Sequence, residues 1–195
     1  MVKNAIKICL QSSGSALHPL LAHHRPHILI STGRLMTIKW HAPQYICEQQ
    51  GTTCVYIRND VQYYRLKSLE HPKFSIVWIM VVNGPKTATY ACVDKNRNEK
   101  VYNYLKDHAK SVHNIRIIGD FRAAQKIWGC QRNNIAGLRL RCLCLHLNLH
   151  QLLVHIKKKI TYTPVALVSP DCTILYEITE KLISIYDCMN DVQHI

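Results

Sequence analysis

Ile115-Arg116-Ile117-Ile118-Gly119-Asp120-Phe121-Arg122 is the stretch whose reading decides the fold. A short β-branched run that halts at Gly-Asp is how a buried strand ends when it delivers a carboxylate to the rim of a sheet. A carboxylate there is a natural ligand for a hard cation such as Mg²⁺, which takes oxygen donors and keeps several waters. Gly-Asp is also an ordinary turn pair, and an isolated one is explained as well by a change of chain direction. The flanking chain has to separate the two.

Upstream, Asn98 to His113 places Val101, Leu105, Ala109 and Val112 on one face, with Lys100, Lys106, Asp107 and Lys110 around the other sides, and this predicts a helix. Before it, Phe74 to Val82 and Thr87 to Val93 predict two strands. They are joined by Asn83-Gly84-Pro85-Lys86, where Gly tolerates positive φ and Pro presets its own. Thr53 to Arg58 is a further strand, closed by the turn pair Asn59-Asp60, and residues 34–50 have no strong periodicity and read as loop. Ala5 to Leu10 and His27 to Thr32 read as strands, the second ending at Gly33. Between them Ser12-Ser13-Gly14-Ser15 could cap a helix over residues 16–24.

Downstream, Leu143, Leu145, Leu147 and Leu149 alternate like a strand, yet leucine favours helix and residues 138–153 are long for a strand, so a helix is expected. Lys157-Lys158-Lys159 reads as a solvated turn, and Cys172 to Tyr176 as a strand opening at Asp171. The tail continues as strand or helix. A hairpin, then a helix, then a strand predicts a mixed α/β architecture, in a single domain over residues 1–195.

Composition bounds the partners. Lys+Arg 25 against Asp+Glu 12 gives a net charge of +13, which attracts DNA, RNA or acidic membrane, and which a merely basic solubilising surface would also show. No apolar run is long enough to cross a bilayer, and residues 1–7 lack the apolar core of a signal peptide. An intracellular, reducing location is therefore expected, nuclear or cytoplasmic. The nine cysteines, without framework spacing, agree with free thiols. Cys142-Leu143-Cys144-Leu145-His146 lacks the second ligand pair that a zinc site normally has. No Gly-x-x-x-x-Gly-Lys or Gly-x-Gly-x-x-Gly pattern occurs, so a small-molecule nucleotide cofactor is not expected.

Several stretches, in order, resemble the endonuclease domain of non-LTR (LINE-like) retrotransposons, within the endonuclease/exonuclease/phosphatase superfamily. Arg25-Pro26-His27-Ile28-Leu29 resembles the strand that leads to that family's Thr-Glu-Thr. Cys54 to Val61 is similar to its Val-Tyr-Val-Arg-Asn-Asp segment. Phe74-Ser75-Ile76-Val77-Trp78 resembles its next strand, and Tyr90-Ala91-Cys92-Val93 the one before its Tyr-Arg-Ser-Pro. Gly119-Asp120-Phe121, with Trp128 downstream, is similar to its Gly-Asp-Phe-Asn…Trp block, and Ala136-Gly137, Gln151 to Val154 and Asp171 extend the match. The resemblance implies two mixed β-sheets packed face to face with flanking helices. It also implies Mg²⁺-dependent cleavage of a DNA phosphodiester, nicking target DNA so that reverse transcription can be primed. In that chemistry a carboxylate holds the metal and a His-Asp pair activates water. Asp120, Asp171, Asp191 and His194 become the catalytic candidates, Asp120 the metal ligand, and Arg122 and Lys95 the nucleic-acid contacts.

The departures fall on the chemistry. The metal-binding Glu of Thr-Glu-Thr aligns with Gly33, which has no side-chain oxygen. The Asn of Gly-Asp-Phe-Asn aligns with Arg122, and guanidinium donates but cannot accept. The Tyr before Arg-Ser-Pro aligns with Asp94, a negative charge in place of a phenol. Ser-Asp-His best matches Asn190-Asp191-Val192, with His194 two positions late, a shift of about 6–7 Å along a strand. Gln11 is the nearest amide to the family's early catalytic Asn. Three functions stay open: an endonuclease-like domain with impaired cleavage, a non-catalytic basic module that binds nucleic acid, and a retrotransposon remnant without a role.

Overall fold

The computed structural model describes residues 5–12, 25–32, 44–94, 99–156, 161–168, 173–178 and 183–188. Strands β1 (Ala5–Ser12), β2 (Ile28–Thr32), β3 (Tyr45–Gln50) and β4 (Thr53–Arg58) share one six-stranded sheet with β11 (Thr173–Ile178) and β12 (Ile183–Cys188), in the order β11-β12-β1-β2-β4-β3. The second sheet holds β5 (Gln62–Arg65), β6 (Ile76–Asn83), β7 (Lys86–Val93), β8 (Ile115–Gly119), β9 (His150–Ile156) and β10 (Thr161–Val168), in the order β5-β6-β7-β8-β10-β9. Each sheet is mixed: β1 with β2, and β7 with β8, are parallel, and the other pairs are antiparallel. Two α-helices, α1 (Glu99–Ala109) and α2 (Ile135–Leu147), and two short 3-10 turns, Lys67–Leu69 and Lys126–Trp128, complete the described elements.

Two cores account for the strand sequences. Ile8, Ile28, Ile30, Val55 and Ile57 of the first sheet pack with Val77, Ile79, Val81, Tyr90 and Ile118 of the second. On its other face the second sheet offers Ile76, Trp78, Ile117 and Leu167 to Val101 and Leu105 of α1 and to Leu140 and Leu143 of α2. The central strands β6, β7 and β8 are thus covered on both faces, which is why they read as nearly continuous apolar runs. Successive residues still alternate between the cores, Ile117 toward the helices and Ile118 toward the facing sheet. The expected sandwich of two mixed sheets with flanking helices is present.

Three expectations are corrected. Residues 45–50 are not loop but the edge strand β3, paired with β4 from Tyr45 opposite Arg58 to Gln50 opposite Thr53. The helix expected to run to His113 stops at Ala109, where Ser111 bonds back to the His108 carbonyl through both its N–H and its hydroxyl, and Asn114 turns the chain into β8 with φ 50. The helix expected over 138–153 is two elements. Asn148, at φ 51, ends α2, the N–H groups of Asn148 and Leu149 both bonding back to Cys144, and β9 then begins at His150. The helix expected over 16–24 and the lysines at 157–159 lie outside the described residues.

Candidate functional site

Parallel pairing sends the C-terminal ends of β1 and β2 the same way, with Gln11 opposite Ser31 and Ser12 opposite Thr32. The same holds for β7 and β8, where Val93 stands opposite Gly119. Side chains from the β3–β4 turn and the start of β4 then tie the two sheets together at this end. Thr53, which is opposite Thr32, donates its hydroxyl to the Ser75 carbonyl at 2.6 Å. The Thr52 N–H donates to Ser75 Oγ at 3.2 Å, and the Thr52 hydroxyl donates to the Asp94 carboxylate. Asp94 closes the circuit with its own N–H on the Ser75 carbonyl at 3.3 Å. The ends of residues 28–32 and 115–119 therefore converge on one rim.

Asp120 leaves β8 at this rim. Gly119 is required just before it, since a Cβ there would sit 2.0 Å from the Val93 carbonyl oxygen. After it, Phe121, Ala123 and Gln125 are buried, while Asp120 and Arg122 stay on the open side, 17% and 48% exposed at their side chains. Arg122 Nε donates to Asp120 Oδ2 at 3.3 Å. Arg122 has a left-handed backbone, φ 45, which asparagine adopts more readily than arginine. Asparagine is the residue that the resemblance expects there.

The start of α2 holds this loop. Asn134 Nδ2 donates to the Arg122 carbonyl at 2.9 Å, and Asn134 Oδ1 accepts from Ala124 N–H at 3.0 Å and Gly137 N–H at 2.7 Å. One side chain thus caps the helix and fixes the loop that carries Arg122. Gly137 lets the two approach, because a Cβ there would lie 2.1 Å from the Ala124 carbonyl oxygen.

Of the expected site residues, the structure brings Asp120 and Arg122 together. Asp171, Asp191, His194 and Lys95, with Gly33, lie outside the described residues. Thr173 of β11 is opposite Cys188 of β12, and Cys188 is opposite Ala5, so β11 begins and β12 ends at the edge of the sheet far from Thr32. Asp94 is not an open charge facing a phosphate: it is 7% exposed and engaged by Thr52. Cys142 is exposed and Cys144 buried on α2, the burial pushing the Cys144 thiol up to about 11. Sequence reasoning missed Thr52, Ser75 and Asn134. The signal for Asn134 was present, an Asn ahead of an apolar helical run.

The described acids of the rim each already have a partner. Among the described residues no three His, Cys, Asp or Glu side chains gather into a site that could hold a metal, Asp120 faces a guanidinium, and Asp94 is turned to Thr52. A cavity of about 390 Å³ near Lys110, Asn114 and His146 lies at the opposite end of β8 and adds nothing to the rim.

No protein-family model and no curated protein matches the sequence. Solved structures do match it. The chain has the endonuclease/exonuclease/phosphatase fold. Within that class it superposes on the endonuclease domain of TRAS1, a telomere-specific non-LTR retrotransposon, with a TM-score of 0.75 at 10% identity, covering 95% of this chain and 99% of that one. It also matches the 3′ phosphatase NExo from Neisseria bound to a product DNA hairpin (TM-score 0.59, 14% identity, 95% and 100% covered). A third match is D. rerio TDP2 complexed with single-strand DNA product (TM-score 0.57, 9% identity, 95% and 100% covered).

Proposed function

We propose that this chain is an endonuclease-like domain of retrotransposon type that binds DNA at the rim carrying Asp120 and Arg122 and cleaves it poorly or not at all. The observation that carries the reading is the convergence of β2, β7 and β8 on one rim, with an arginine fixed on its open side. The net charge of +13 supports a polyanionic partner, and two structures with the same fold, NExo and D. rerio TDP2, hold product DNA. Impaired cleavage is supported by Gly33, which offers no side-chain oxygen where the resemblance expects a carboxylate, and by Arg122, which cannot accept a proton from water. General acid–base groups contribute about 10²–10⁴ in rate, and a metal several kcal/mol more, so either loss leaves little turnover.

The test is binding of a labelled duplex DNA at rising salt without divalent cations. Affinity should fall linearly in log-log form, with a slope of about −0.9 per phosphate contacted. DNA binding absent even at low salt would remove the reading.

A further inference from the structure

We infer that Arg122 serves as the built-in cation of the rim: its guanidinium stands where a metal ion would face Asp120, and it lets the site take phosphodiester oxygens without a divalent ion. The inference rests on the DNA-binding reading above and specifies how that site neutralises its ligand.

Three observations carry it. The Asp120 carboxylate already has a cationic partner, Arg122 Nε at 3.3 Å. That partner is held in place, its backbone in the left-handed region and its carbonyl fixed by Asn134 Nδ2 at 2.9 Å. Nε alone is used on Asp120, so the guanidinium edge bearing the two terminal nitrogens is left for a ligand, on a side chain that is 48% exposed. A planar fork of this kind matches two phosphate oxygens at once, and with Asp120 on its other edge its orientation is set before the ligand arrives.

Charge arithmetic favours arginine over metal. As a pair Asp120 and Arg122 sum to zero, and a dication held about 4 Å from a guanidinium would be repelled enough to weaken it more than about tenfold, even in water's dielectric. Asp94, the other acid tied into the rim, is engaged by the Thr52 hydroxyl.

The test uses two readouts on wild type, Asp120→Asn and Arg122→Asn, the last chosen because asparagine suits the same backbone. Duplex DNA binding is followed by anisotropy in EDTA and in Mg²⁺ at matched ionic strength, and Mn²⁺ binding to the protein alone by electron paramagnetic resonance. Wild type should bind DNA equally in both buffers and hold no more Mn²⁺ than Asp120→Asn does. Arg122→Asn should lose about tenfold in DNA affinity, the worth of a charge-assisted hydrogen bond. The inference is overturned if Mg²⁺ raises the wild-type DNA affinity severalfold, if Asp120→Asn abolishes a Mn²⁺ site, or if Arg122→Asn binds DNA as wild type does. DNA binding absent in both buffers removes the broader reading and the inference with it, whereas a Mn²⁺ site lost in Asp120→Asn overturns the inference and leaves the broader reading standing. Should Arg122→Asn fail to fold, wild type and Asp120→Asn still give the first two outcomes.

Discussion

Asn134 is the residue on which the geometry of the candidate site turns. Its side chain serves Arg122, Ala124 and Gly137 at once, so a change there loosens the loop and uncaps α2 together. Asn134→Ala should cost about 1–2 kcal/mol in urea denaturation and weaken DNA binding along with it. A variant that loses stability but keeps full DNA affinity would show that the loop does not depend on the cap. Cys47 allows a second test at this scale. It is exposed on β3, and a hydrogen bond from Cys54 on β4, with a smaller one from Tyr56, outweighs burial and lowers its thiol to about 7. Below that pH it is protonated and slow, and above it the reactive thiolate dominates. Alkylation of Cys47 by iodoacetamide, followed by mass spectrometry, should therefore rise through a midpoint near pH 7, while buried Cys92, its thiol pushed up by burial, stays inert. A midpoint near pH 9 would mean that Cys54 does not stabilise the thiolate.

Among the elements, the strongly patterned central strands were legible and the edge strand β3 was not. β8 could be read because it is buried on both faces and ends at a glycine that its neighbour requires. β3 could not, because Tyr45-Ile46-Cys47-Glu48-Gln49-Gln50 is a half-exposed edge strand whose partner, β4, supplies the apolar surface. The boundary at Leu147 was hidden because leucines run through both α2 and β9, and only Asn148 in a left-handed turn separates them. The tie across the rim was out of reach for another reason: Thr52 and Asp94 are 42 positions apart, and a single sequence does not report such a pairing. That tie makes its own prediction. Thr52→Val keeps the side-chain shape but takes a hydroxyl donor from a carboxylate that is 7% exposed, and should cost about 1–3 kcal/mol in the denaturation midpoint. An unchanged midpoint would mean that the rim is held together elsewhere.

For the whole molecule, the fold makes different demands on the sequence from those of the chemistry that the resemblance implies. The packed sheets ask only that apolar residues alternate correctly and that glycines stand where backbones touch, and this chain meets those demands at 10% identity to the TRAS1 domain it superposes on. Cleavage asks for particular atoms at particular places, and in the proposed reading Gly33 and Arg122 stand where the resemblance expects a carboxylate and an amide. A net charge of +13 and an arginine at the rim suit the proposed hold on a polyanion. The most direct measurement is Mg²⁺-dependent nicking of supercoiled plasmid by the purified protein. The account predicts that the plasmid is bound and remains supercoiled; efficient nicking that disappears in Asp120→Ala would contradict it.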